Sequence, residues 1–169
     1  MIEEETFVDK VYILENLKRW STIHTIRQES VASHSFFVAA IVLDLASKYR
    51  FDVKDAVAMA ICHDMTELEL TDIPRNIKHR YPGIREAFRE CEDDVIKTFP
   101  KAIRNIIKTY NTGYTVECKI VHLADTMQCM QFARQELKLG NKGYMSEVYA
   151  GSLTRIFDLE QGLLDHVRP

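Results

Sequence analysis

The segment SVASHSFFVAAIVLDL, residues 30–45, decides the fold class. Its apolar residues cover nearly every face of a 3.6-residue spiral, which predicts a core helix from Val31 to about Tyr49, with Ser30 as N-cap. The apolar run Phe36–Leu43 stops at Asp44 and is far too short to cross a bilayer. Helical periodicity continues on both sides, and no segment sustains the alternation of a strand. Phe7, Val11, Leu14 and Leu17 mark a first helix. Asp52 can cap a third, Val53 to about Glu69, which the turn at residues 71–74 ends because the residue before Pro74 is biased out of helical geometry. Pro82 and Gly83 open a helix to about Thr98, and Pro100 opens another that closes near Gly113. A long helix from about Val116 to Leu139 stops at Gly140, and the last runs from about Ser146 to Val167. The expectation is an all-α bundle of about seven helices, a single domain spanning 1–169 without repeat or linker.

Composition narrows the class. With 46% apolar and 28% charged residues, the chain is an ordinary globular sequence. A formal net charge of −3 supplies no global positive field, which argues against nucleic acid as a partner. The acidic start, Ile2 followed by Glu3, Glu4 and Glu5, lacks the basic-then-apolar pattern of a signal peptide. Cys62, Cys91, Cys118 and Cys129 form no C-x-x-C pair and read as reduced thiols. A cytoplasmic protein without membrane attachment is expected.

Chemistry first shows at His63-Asp64. Adjacent helical residues point about 100° apart, so both can reach an ion lying over the ridge between them. Imidazole and carboxylate suit a divalent transition metal, although the dipeptide alone is a weak signal. His34, in the first turn of the second helix, would more often be a capping or core histidine. Asp125, in the apolar setting Val-His-Leu-Ala-Asp-Thr-Met, needs a cation or strong hydrogen bonds to offset its desolvation; a buried ion pair with an arginine is the plainer alternative. Together His34, His63, Asp64 and Asp125 make a two-histidine, two-carboxylate set drawn from three helices.

With these residues the chain resembles the HD-domain phosphohydrolases, whose ligands follow the order His, His-Asp, Asp. It is most similar to the branch of bacterial 5′-deoxynucleotidases and small phage deoxynucleotide triphosphohydrolases. The motifs are Arg19-Trp20; Arg27-x-Glu29-x-Val31-x-x-His34-Ser35; His63-Asp64-x-x-Glu67; Asp72-Ile73-Pro74 with Lys78; and Ala124-Asp125. The resemblance implies one divalent ion (cobalt, manganese, zinc or similar) on His34, His63, Asp64 and Asp125. It implies catalytic roles for Glu67, Asp72 and Arg19. Substrate contacts would come from Arg19, Trp20, Asp64, Asp125 and the segment holding Asp72, Ile73, Pro74, Arg75 and Lys78.

Physical reasoning agrees with parts of this. Glu67 follows His63 by four residues and Asp64 by three, so on a continuous helix it shares their face. Arg19 offers a planar fork for two phosphate oxygens. Trp20 can stack on a base or sugar, though a lone tryptophan is more often core. Arg75, Lys78, His79 and Arg80 form a basic cluster that suits either phosphate contact or a solvated face. Cys118, His122 and Asp125, on successive turns, are a rival zinc set lacking a fourth ligand. His24, His79, His122 and His166 show no ligand pattern, and Met127, Met130 and Phe132 read as packing.

The reading is hydrolysis of a deoxynucleotide, with the 5′-monophosphate preferred as substrate and a homo-oligomeric assembly expected. A triphosphohydrolase releasing tripolyphosphate, a dATP-directed one among them, stands beside it. A non-catalytic nucleotide sensor and a helical interaction module with a structural metal are more distant. Arg19-Trp20 and Asp72-Ile73-Pro74 point away from cyclic-nucleotide or alarmone hydrolysis.

Overall fold

The structure, a computed structural model, describes residues 6–71 and 80–167. Its ordered elements are helical: α1 Phe7–Val11, α2 Ile13–Asn16, α3 Val31–Leu45, α4 Val53–Cys62, α5 Glu67–Leu70, α6 Pro82–Thr98, α7 Lys101–Thr112, α8 Val116–Lys138 and α9 Gly143–Gln161. A 3₁₀ turn, Leu164–His166, follows. Among the described residues, the seven expected helices occur as nine, because the first and third are each in two pieces. α3 stops at Leu45, short of Tyr49, whose ring is buried beyond the helix end. The last helix starts three residues earlier than expected and closes in the 3₁₀ turn.

Local chemistry accounts for the ends. Ser30 and Ser33 form a reciprocal capping box at the start of α3, and Asp52 accepts from the Asp55 amide at the start of α4. Thr115 caps α8. Gly113, at φ 69°, closes α7 in the left-handed conformation that glycine adopts without a Cβ clash.

α8 is the central rod. Its Ile120, Val121, Leu123 and Ala124 are sealed against Val38 and Val42 of α3 and Ala56, Met59 and Ala60 of α4. α9 covers another side of α8. Each buried Ile, Val, Leu or Met among them contributes roughly 1.5–3 kcal/mol. A second core joins Leu14, Val31, Cys62 and Met65 to Val95, Ile96, Phe99 and Ile107. His34 lies between Val31 of one core and Val38 of the other, and His63 follows Cys62. The polar site thus sits on the seam between two cores.

α3 departs from its expected burial. Val31, His34, Val38, Val42 and Leu45 are buried, but Phe36 is 67% exposed and Leu43 57%. The all-round apolar pattern therefore describes one face turned to the core and one uncovered in the single chain.

Candidate metal and phosphate site

α4 ends at Cys62, and residues 63–66 continue as tight turns before α5. The Met65 N–H donates to the Cys62 carbonyl at 3.1 Å and the Glu67 N–H to the Asp64 carbonyl at 3.1 Å. These three-residue steps change the sequence argument for Glu67. The four-residue relation to His63 is broken, but residues three apart eclipse in such a turn, so Glu67 stays aligned with Asp64. Glu67 is half-buried as the first residue of α5.

Four residues from three segments converge. His34 Nε2 lies 3.2 Å from His63 Nε2, 3.5 Å from Asp64 Oδ2 and 3.3 Å from Asp125 Oδ1. His63 Nε2 is 3.3 Å from Asp64 Oδ2. His34, His63 and Asp125 can hold a metal ion with their ligand atoms all within 4.8 Å of one another, and Asp64 adjoins them. Both imidazoles are anchored through the opposite nitrogen: His63 Nδ1 donates to the Ala60 carbonyl at 2.8 Å, and His34 Nδ1 lies 2.7 Å from Gln128 Oε1. With the protons on Nδ1, two imidazole lone pairs and two carboxylate oxygens face one point. That arrangement repels itself unless a cation lies there. Ligands about 2.0–2.2 Å from a metal stand about 2.8–3.6 Å apart in octahedral or tetrahedral arrangements, so the observed spacing fits a divalent ion.

Arg19 borders the site with its side chain only 13% exposed. Its Nη1 donates to Asp64 Oδ2 at 3.0 Å, its Nε lies 3.5 Å from Glu29 Oε2, and its Nη2 is 3.7 Å from Cys129 Sγ. Burial opposes the charge, but the acidic groups around the guanidinium outweigh it and push its pKa up. Burial also tends to raise the Asp64 carboxyl; in the metal-free cluster the positive charge of His63 and His34, when protonated, together with Arg19, prevails and holds it below the usual carboxylate value. Desolvation, with the Asp125 charge adding to it, pushes the Cys129 thiol up to about 12. Cys129 is therefore a neutral lining group rather than a nucleophile.

Trp20 takes the packing role that the sequence offered for it. Its ring stacks on Phe132 at 5.4 Å and 6°, and its indole N–H donates to Glu29 Oε2 at 3.2 Å. Its backbone takes φ 62°, a left-handed conformation that costs a non-glycine residue on the order of 1–3 kcal/mol. The loop carrying Arg19 and Trp20 is fixed at its base by Arg19 N–H to the Glu29 carbonyl at 2.9 Å and Val31 N–H to the Leu17 carbonyl at 3.0 Å. At its far end the buried Glu136 accepts from the Ile26 and Arg27 amides at 2.7 and 2.8 Å.

The rival zinc set does not assemble. Cys118 is fully buried beside Met59 and the Thr109 carbonyl, while His122 Nδ1 bonds the Tyr110 hydroxyl at 3.0 Å. Sequence reasoning gave no role to Tyr110, whose ring packs edge-on against His63 at 5.8 Å. It also gave none to Gln128 or Glu29, which are buried behind His34 and Arg19. Glu29 did stand in a quoted motif, but its neighbours come from distant segments. Asp72, Ile73, Pro74, Arg75 and Lys78 lie outside the described residues, as does His79. Arg80 lies over the Tyr81 ring at 5.7 Å.

The helical architecture and the His, His-Asp, Asp cluster define an HD-domain phosphohydrolase fold. An HD-domain phosphohydrolase from Listeria innocua superposes with a TM-score of 0.74 at 24% identity, covering 92% of this chain and 80% of its own. A Pyrococcus horikoshii protein, PH0347, superposes with a TM-score of 0.75 at 29% identity, covering 94% and 95%. The chain belongs to the YfbR-like 5′-deoxynucleotidase family, whose model matches residues 6–165. A 5′-deoxynucleotidase of Pasteurella multocida is 31% identical over 144 residues, 78% of this chain and 74% of the relative.

Proposed function

We propose that this protein is a metal-dependent 5′-deoxynucleotidase, which hydrolyses a deoxynucleoside 5′-monophosphate to deoxynucleoside and phosphate. The observation that carries the chemistry is the convergence of His34, His63, Asp64 and Asp125 on one point with their lone pairs inward. Family membership supports the substrate class.

His34, His63, Asp64 and Asp125 would hold a divalent ion, which when bound would supply a Lewis acid able to lower the pKa of water and polarise the phosphoryl group. Arg19 supplies the fixed positive charge beside it. Two of the guanidinium's edges face Asp64 and Glu29, so it is held in place before substrate arrives rather than ordered by it. Glu67, aligned with Asp64, is placed to orient the attacking water and accept its proton. Trp20, braced by Phe132 and Glu29, offers a rigid wall for the sugar. Asp72, Ile73 and Pro74, with Arg75 and Lys78, complete the substrate side on the family pattern, and a closely fitted pocket there would favour deoxyribose over ribose.

The chain acts as a homo-oligomer in this proposal. The uncovered apolar face of α3, with Phe36 and Leu43, supports it, since large exposed apolar groups clustered on one face mark association surfaces. Among the described residues no helix is long and apolar enough to cross a membrane.

Incubating metal-loaded protein with each ribo- and deoxynucleoside mono- and triphosphate, then separating the products, tests the reading. Phosphate and deoxynucleoside from monophosphates, with ribonucleotides cleaved far more slowly, is the expected result. Tripolyphosphate from dATP, with dAMP untouched, overturns it in favour of a triphosphohydrolase.

A further inference from the structure

Behind the ligand cluster lies a second, buried polar chain. Glu29 is 7% exposed and Gln128 4%. Glu29 Oε2 accepts from the Trp20 indole and faces Arg19 Nε, so the carboxylate is turned towards two donors. Its other oxygen, Oε1, meets Gln128 Nε2 in a short hydrogen bond. Gln128 Oε1 then faces His34 Nδ1 at 2.7 Å.

The donor and acceptor rules leave one consistent assignment. An ionised carboxylate only accepts, so Gln128 must turn its NH₂ group to Glu29. Its carbonyl oxygen is then fixed on His34, where it can only accept. His34 must therefore carry its proton on Nδ1, which leaves the Nε2 lone pair facing His63, Asp64 and Asp125. The other tautomer would point an N–H at the place a cation occupies.

We propose that Glu29 and Gln128 are positioning residues that fix the His34 tautomer for metal binding and, through the same carboxylate, hold Arg19 and Trp20 for the phosphate and sugar. This rests on the metal reading of the cluster. One carboxylate thereby ties the ion site to the substrate clamp, although it touches neither ion nor substrate.

The chain is directional, and that makes it testable by exchange of its parts. In Glu29→Gln the new amide can present NH₂ or oxygen, so Gln128 is free to invert and His34 can take the wrong tautomer. In Gln128→Glu two carboxylates face each other in a buried place, which is costly. In the double variant Glu29→Gln with Gln128→Glu, the new carboxylate accepts from both His34 Nδ1–H and the new amide. The amide oxygen remains for Trp20 and Arg19. Every donor again meets an acceptor.

The experiment titrates each metal-free protein with Co²⁺, following the visible absorption of the bound ion and, separately, kcat and KM for a deoxynucleoside monophosphate. Loss of second-sphere partners typically weakens metal affinity 10- to 100-fold. Glu29→Gln is expected to bind Co²⁺ about that much more weakly and to raise KM, whereas Gln128→Glu still offers His34 Nδ1–H an acceptor and is expected to lose thermal stability instead. The double variant is expected to regain most of the affinity. Circular dichroism at matched temperature confirms that each variant is folded. Equal Co²⁺ affinity in wild type and Glu29→Gln, or a double variant as weak as the worse single, overturns the proposal. Wild-type protein that binds no Co²⁺ instead removes the metal reading beneath it.

Discussion

Replacing Arg19 with alanine would separate the proposed phosphate clamp from the proposed metal ligands. The guanidinium lies 3.0 Å from Asp64 Oδ2 and 3.5 Å from Glu29 Oε2, with its side chain 13% exposed. A charge-assisted hydrogen bond contributes about 1.5–3 kcal/mol, and each ~1.4 kcal/mol is a factor of ten. Losing the clamp should therefore lower kcat/KM about 10- to 100-fold. The four ligands are untouched, and Asp64 loses a competitor for its Oδ2 lone pairs. Metal affinity should accordingly stay level or rise. Arg19→Lys should recover only part of the loss, since one ammonium cannot span both carboxylates. The assay pairs phosphate release from a deoxynucleoside monophosphate with the metal content of the same preparation. A kcat/KM within about twofold of wild type would refute a clamping role. Loss of metal together with activity would refute the separation of clamp from ligand set.

Two other substitutions probe separate links. Glu67→Ala should retain the ion and slow turnover on the order of 10²-fold, the size expected for a positioned acid–base group; an unchanged kcat would reduce Glu67 to a residue of the first turn of α5 without a catalytic part. Glu136→Gln sets an amide N–H₂ against a donor that Glu136 now accepts from, among the Ile26 and Arg27 amides and Asn141. It should cost about 2–3 kcal/mol and lower Tm by roughly 4–12 °C, read by thermal unfolding. A Tm within about 1 °C of wild type would show that the loop carrying Arg19 and Trp20 is held by other contacts.

The helices were legible wherever chemistry is local. Ser30, Asp52 and Gly113 act at the helix ends that their residue types predict, because caps need only neighbouring amides and carbonyls. The break after Cys62 was not legible, because residues 63–66 keep helical periodicity while their hydrogen bonds shorten by one residue. α3 shows the limit of pattern reading: its apolar coverage does not reveal which face meets the core and which stays uncovered.

At the site, the ligand set was legible through the resemblance of the order His34, His63-Asp64, Asp125 to the HD-domain pattern, and the structure brings these side chains close to one point. The residues behind them were hidden. Gln128 is one turn beyond Asp125 and looks like any polar helical residue, and its meaning comes only from Glu29, 99 positions away. Tyr110 likewise acquires a place beside His63 only through the packing of α7 on α4.

The central claim is that one divalent ion, bound by His34, His63, Asp64 and Asp125, is required for phosphate release. Elemental analysis and phosphate release, measured on the same preparations of wild type and Asp125→Ala, test it most directly. Close to one transition-metal ion per wild-type chain is expected, lost from Asp125→Ala together with activity. Full metal content in Asp125→Ala, or undiminished phosphate release from chelator-stripped wild type, would contradict it.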